Sequence, residues 1–331
     1  MSIFKNPKIV VLIVTILVLG GWHYATAPSA AQIALSNVRI WDYQLQNANL
    51  DRLAQASSDM VVIDYARSWG DKVPYSRADV ERVRRRPDGR ERLVIAYLSI
   101  GEAEDYRPYW QPGWKQNRPL WLLPENCRWP GNYLVKYWMD DWKQIMYASR
   151  DSYLARIMAA GFDGVYLDRV DAYWDLRDQF PQSKLEMIKF VQDLAKRARQ
   201  TKSNFLVIAQ NAEDLLADKG YRRTVDGVAK EDLLHGVDAT GKRNEATLIS
   251  WSLDQLGKLR QDGKPLFAIE YLTSPEQKAT TTRELGPLGV RLVFPSRALD
   301  GADPFEQLPP PSAALKVAAT GTPEYNAENC K

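Results

Sequence analysis

The residues able to do chemistry in this chain are carboxylates and tyrosines, because little else is present. There are only two histidines, His23 and His235, and two cysteines far apart, Cys127 and Cys330. That argues against a zinc site or a Ser-His-Asp triad. No phosphate loop, GxGxxG or metal motif occurs, so no metal or cofactor is expected. Carboxylates instead recur at one kind of place. Asp64, Glu102, Asp168, Glu231 and Glu270 each stand at or beside the end of a short apolar run. A lone aspartate there is often only a cap or a turn residue. Five of them, on strands that feed one barrel rim, converge where α/β barrels place their chemistry. Two carboxylates flanking a bond are what glycoside hydrolysis needs, one as acid and base, the other attacking or activating water.

The elements that must position these groups alternate. Residues 161–174 set the pattern: Gly161 closes a helix, Asp163-Gly164 turns the chain, and Val165-Tyr166-Leu167 is a short strand stopping at Asp168. Strands are predicted over 38–44, 60–65, 93–100, 133–137, 165–167, 204–209, 225–229, 265–270 and 290–294. Helices are predicted over 50–56, 76–87, 140–157, 183–200 and 244–261, the second capped by Ser76. Alternation of this kind implies a parallel sheet, and closure gives an α/β fold of the (β/α)8 TIM-barrel type. Nine strands are one too many, so either the first or the last is expected outside the barrel. The long loop between the third and fourth strands, 103–132, is rich in rings: Tyr106, Tyr109, Trp110, Trp114, Trp121 and Trp129. It reads either as a wall for stacking sugar faces or as a loop packing on itself.

Lys5 and Lys8 precede an apolar run over 9–19 and then small residues. Residues 1–31 are therefore expected to be a signal peptide or an N-terminal membrane anchor, and the body to be exported to the periplasm or beyond. An oxidising compartment permits a bond between Cys127 and Cys330. The folded domain is expected over 32–300, followed by a loosely ordered tail, 301–331, with Pro309-Pro310-Pro311. The net charge of +3 on a mixed surface implies no nucleic-acid partner.

A set of stretches in a fixed order resembles glycoside hydrolase family 114, the endo-α-1,4-polygalactosaminidases and related barrels. They are WDYQLQ (41–46), VVIDYA (61–66), AYLSIGEAEDYR (96–107), VKYWMDDW (135–142), GFDGVYLDRVDAY (161–173), QNAE (210–213), VAKEDL (228–233) and AIEY (268–271). The resemblance covers roughly residues 36–300. It implies a monomeric (β/α)8 barrel cleaving an amino-sugar exopolysaccharide, with Asp168 and Glu231 as the catalytic pair. Substrate contacts would come from Tyr43, Asp64, Tyr65, Glu102, Asp171, Tyr173, Asn211, Glu270 and Tyr271. Asp168 is expected as the nucleophile, kept ionised by Arg169 and Tyr173, and Glu231 as the acid/base. Asp64, Glu102, Asp171 and Glu270 would attract ammonium groups of a deacetylated polymer. The alternative is a barrel that binds polysaccharide without cleaving it.

Overall fold

The computed structural model describes residues 27–67, 73–127 and 129–300. Eight parallel strands form one sheet, in the order β1 (Trp41–Gln44), β2 (Met60–Ile63), β3 (Leu93–Ser99), β7 (Gly164–Asp168), β8 (Leu206–Gln210), β9 (Gly227–Glu231), β10 (Leu266–Ile269) and β11 (Val290–Val293). The sheet curls into a nearly closed (β/α)8 barrel. Its seam is tied by side chains. The Arg291 guanidinium donates to Val38 O at 2.6 Å and Ser36 O at 2.7 Å, and the Trp41 indole N–H donates to Arg291 O at 3.0 Å.

The strand alternation sorts the apolar residues into two cores. On β3, Val94, Ala96 and Leu98 face the helices, while Leu93, Ile95 and Tyr97 face the barrel interior. The same split runs through β7, with Val165 and Leu167 outside and Tyr166 inside. The interior is a packed plug rather than a pore, as barrels of this size require. Helix α1 (Ala30–Ser36) helps fill it. Ser29 caps that helix with a capping box, and Leu35 and Val38 join the interior cluster. The folded part therefore includes residues just ahead of position 32, where it was expected to start.

The outer layer comprises α2 (Leu50–Gln55), α3 (Arg77–Arg84), α5 (Tyr153–Ala160), α7 (Ser183–Thr201), α8 (Lys219–Thr224), α9 (Ala246–Gln261) and α10 (Pro275–Leu285). The predicted helix over 140–157 is instead three pieces: α4 (Asp140–Lys143), a π turn over Gln144–Ala148, and α5, separated from that turn by residues 149–152. Gly161 ends α5 with φ of +96°, the left-handed conformation anticipated for it.

Two expectations are corrected. The surplus strand is neither the first nor the last, since β1 and β11 both belong to the barrel. It is the fourth. Residues Asn132–Val135 form β6, which pairs antiparallel with β4 (Glu102–Glu104) and β5 (Leu122–Glu125) in a small separate sheet. The segment after β3 is thus a folded insert and not a plain loop. Its rings pack on one another: Trp110 on Tyr133 at 4.8 Å, Trp114 on Trp121 at 5.0 Å, and Trp121 on Trp142 at 5.0 Å between centroids. Self-packing, and not a stacking wall, accounts for Trp110, Trp114 and Trp121. Residues 1–26 of the expected signal or anchor, the tail and Cys330 lie outside the described residues, and the expected bond to Cys127 with them.

Candidate active site

Inward parity at the carboxyl ends of the strands brings Tyr43, Asp64, Tyr97, Asp168, Gln210, Glu231 and Tyr271 to one end of the barrel interior. Asp168 lies on the same face of β7 as Tyr166, and Glu231 on the same face of β9 as Ala229. Both carboxylates are half-buried.

Each is held by a tyrosine. The Tyr97 hydroxyl donates to Asp168 Oδ2 at 2.5 Å, and the backbone N–H of Arg169 donates to Oδ1 at 2.7 Å. The Tyr271 hydroxyl donates to Glu231 Oε1, and Gln210 Nε2 donates to Oε2 at 2.8 Å. Tyr43 is close enough to feel both charges. Its ring lies 5.4 Å from that of Tyr166, and its hydroxyl reaches Gln210 Oε1 at 3.5 Å. Tyr166 is fully buried, and its hydroxyl has no hydrogen-bond partner among the described residues.

Both carboxyls hold protons more tightly than usual. Burial pushes Asp168 up to about 7; the Tyr97 hydrogen bond pulls the other way, and the Glu231 charge adds to the rise. Burial also raises Glu231, assisted by the neighbouring Asp232 and opposed by Tyr271. A carboxyl that holds its proton to about 7 near a second one of raised proton affinity suits a carboxylate-plus-acid mechanism.

The backbone is strained at the same place. Arg169, Asn211, Ala212 and Asp232 all have φ between 51° and 57°, and they directly follow Asp168, Gln210 and Glu231. Non-glycine residues rarely adopt that region, and such outliers cluster at functional sites. Gly101, at the end of β3, is also forced: a Cβ there would meet Arg169 O at 2.2 Å.

The other expected site residues fall into distinct groups. Asn211 Oδ1 accepts from the Glu231 N–H at 3.0 Å and from Lys230 Nζ at 3.3 Å, so it supports Glu231 from behind. Asp64 does not point a free carboxylate at a ligand. Its two oxygens bind Arg107 Nη1 at 2.7 and 2.8 Å, and the guanidinium carbon lies 5.8 Å from the Tyr97 ring centre. Asp64 thus positions Arg107, and Arg107 positions the tyrosine that serves Asp168.

Glu102 pairs with Arg169 Nε at 3.1 Å, and Asp171 with Arg169 Nη1 at 3.1 Å. Arg169 serves Asp168 through its backbone N–H and through its charge, although its side chain pairs directly with Glu102, Asp171 and Asp175. Tyr173 donates to Asp214 and not to Asp168. Tyr65 faces outward and packs on Tyr153 at 5.3 Å. Glu270 also has outward parity. Its carboxylate accepts the Leu234 and His235 N–H groups at 2.6 and 3.2 Å, which fixes the loop after β9. The expected ring of free rim carboxylates is therefore absent: Asp64, Glu102 and Asp171 face arginines, and Glu270 faces backbone amides. Sequence reasoning missed Tyr97 and Gln210. The signal for them was alternation, since each shares inward parity with a site carboxylate on the neighbouring strand.

A family model for glycoside hydrolase family GH114 matches residues 23–308. The chain belongs to this family. An uncharacterized protein of Methanocaldococcus jannaschii is 39% identical over 241 residues, which span 70% of this chain and 66% of that one. One of Deinococcus radiodurans is 37% identical over 276 residues, 82% of this chain and 85% of that one. Among solved structures, the glycoside hydrolase domain of PelA from Pseudomonas aeruginosa superposes with a TM-score of 0.59 at 17% identity. The match covers 80% of this chain and 97% of that one. It supports the GH114 chain's barrel fold.

Proposed function

We propose that this GH114 protein is an exported, endo-acting glycoside hydrolase that cleaves an α-1,4-linked galactosamine or N-acetylgalactosamine exopolysaccharide through Asp168 and Glu231. The observation that carries the reading is the tyrosine-held pair itself: two carboxyls inside one end of the barrel, both with raised proton affinity. Asp168 has the shorter arm and a backbone N–H fixed to one oxygen, which suits a nucleophile. Glu231 has one more rotatable bond, so it can deliver a proton to the leaving oxygen and then take one from water. A nucleophilic Asp168 entails retention of anomeric configuration; inversion would make it a base acting on water instead.

The experiment is reducing-end release from the polymer by the wild type and by Asp168→Asn and Glu231→Gln. Each substitution should cut kcat by orders of magnitude while leaving polymer binding largely intact, because the lost interactions act in the transition state. Hydrolysis at near wild-type rate by either variant would show the pair misassigned. Folding can be checked in the same samples. Ionising Asp168 opposes folding as pH rises toward about 7, so Asp168→Asn should unfold no earlier than wild type above that pH.

A further inference from the structure

A cavity of about 490 Å³ opens beside Glu231, lined from the ends of β7, β8 and β9 and from α9. It shares Asn211, Lys230 and Asp232 with the surroundings of the acid/base residue. Nine large apolar side chains are exposed among the described residues, and four of them line this one cavity: Trp174, Val237, Leu248 and Trp251. Apolar groups gathered this way mark a binding surface. Leu248 and Trp251 are three apart on α9 and share its outer face, while Ile249 and Ser252 turn into the protein. The Trp174 ring carries the Arg177 guanidinium at 5.3 Å, which fixes its orientation.

The cavity also contains four carboxylates, and charge alone would suggest a cationic ligand. Each carboxylate, however, already faces a cation, Arg169 being shared with Glu102 and Asp175. Asp171 has Arg169 at 3.1 Å, Asp214 has Lys184 at 2.6 Å, Asp232 has Arg297 at 3.1 Å, and Glu213 has Lys230 at 3.6 Å. What the groove offers is indole surface and polar groups already engaged in ion pairs. Resting on the hydrolase reading above, the geometry points to this groove as a second sugar-binding position, one that takes an uncharged unit of the same polymer chain beyond the bond being cleaved. Indole rings cover the flat apolar faces of a sugar, and paired side chains accept and donate to its hydroxyls. The paired carboxylates give no premium to an ammonium group, so an N-acetylated unit fits the groove at least as well as a deacetylated one.

The test uses the full chain carrying Glu231→Gln, titrated with a fully acetylated α-1,4-linked N-acetylgalactosamine oligosaccharide by calorimetry. Trp251→Ala in that background should weaken binding about tenfold, and Trp251→Phe should restore part of the loss. Affinity should be unchanged by added salt, as expected without net charge attraction. An unchanged affinity in Trp251→Ala, or no binding by the parent, overturns the proposal. So does exclusive, salt-sensitive binding of the deacetylated oligosaccharide. Self-association abolished by Trp251→Ala would show the groove to be a contact between copies instead. If wild type cleaves no such polymer yet Trp251-dependent binding persists, the hydrolase reading fails and the groove stands.

Discussion

Asp168 has two oxygens and two fixed donors, and both donors favour its charged form. Burial outweighs them, so the group keeps its proton to about 7. Tyr97 is the largest of the influences that favour the ionised form, which the proposed nucleophilic role requires. Removing its hydroxyl with Tyr97→Phe keeps the ring over Arg107 but deletes the donor. The proton affinity of Asp168 must then rise further. Because the nucleophile must be ionised, the ascending limb of kcat/KM against pH should move to higher pH, with the deficit largest in acid and partly recovered in base. A uniform drop at every pH would mean that Tyr97 only packs. The glutamate side has its own version of the arrangement, with Tyr271 and Gln210 as donors.

At the scale of elements, carboxylates at the two ends of the strands do different work. At the amino ends they hold the sheet together. Asp59 Oδ2 accepts from the Arg39 and Ile40 N–H groups, Asp163 Oδ2 from Val94, and Asp226 Oδ2 from Val207 at 2.8 Å. Asp226 also binds Arg199 Nη2 at 2.7 Å and Gln32 Nε2 at 2.8 Å, so it joins β8, α7 and α1. Asp226→Ala leaves the buried Val207 N–H without its side-chain acceptor and Arg199 without its carboxylate. It should lower unfolding stability by about 1–3 kcal/mol while preserving kcat per folded molecule. Denaturant titration beside activity checks this; unchanged stability would mean the aspartate is dispensable. Conservation of bottom for stability and top for chemistry is the usual division in this architecture. The insert built from β4, β5 and β6 adds Glu104 and Arg107 to the upper end, and so reaches the site through the Asp64–Arg107–Tyr97 chain of contacts.

For the molecule as a whole, a polysaccharide substrate too large to enter a cell fits an exported enzyme. The proposed export rests on the pattern of Lys5, Lys8 and residues 9–19, ahead of Ser29, where the capped α1 begins to close the barrel floor. Cleavage in the region of residues 28–32 would have to spare that cap. N-terminal sequencing of the mature protein should therefore find a start at or before Ser29, or else the intact chain should be recovered with membranes. Soluble full-length protein in the cytoplasm would refute export.

The sequence by itself determined the alternation of strand and helix, the place of Asp168 and Glu231 at strand ends, and the turn at Gly161. These are local matters: a short apolar run with a carboxylate at or just past its end reads the same in any context. Tertiary structure decided the rest, because it depends on partners distant in sequence. Residues 132–135 look like any other strand until pairing with β4 and β5 removes them from the barrel. Tyr65 and Glu270 look like site residues until register turns them outward, since one position along a strand reverses the face. Asp64 looks like a free acid until Arg107, 43 residues on, neutralises it. Tyr97 and Asp168 are 71 residues apart, and only adjacency of β3 and β7 makes one the partner of the other.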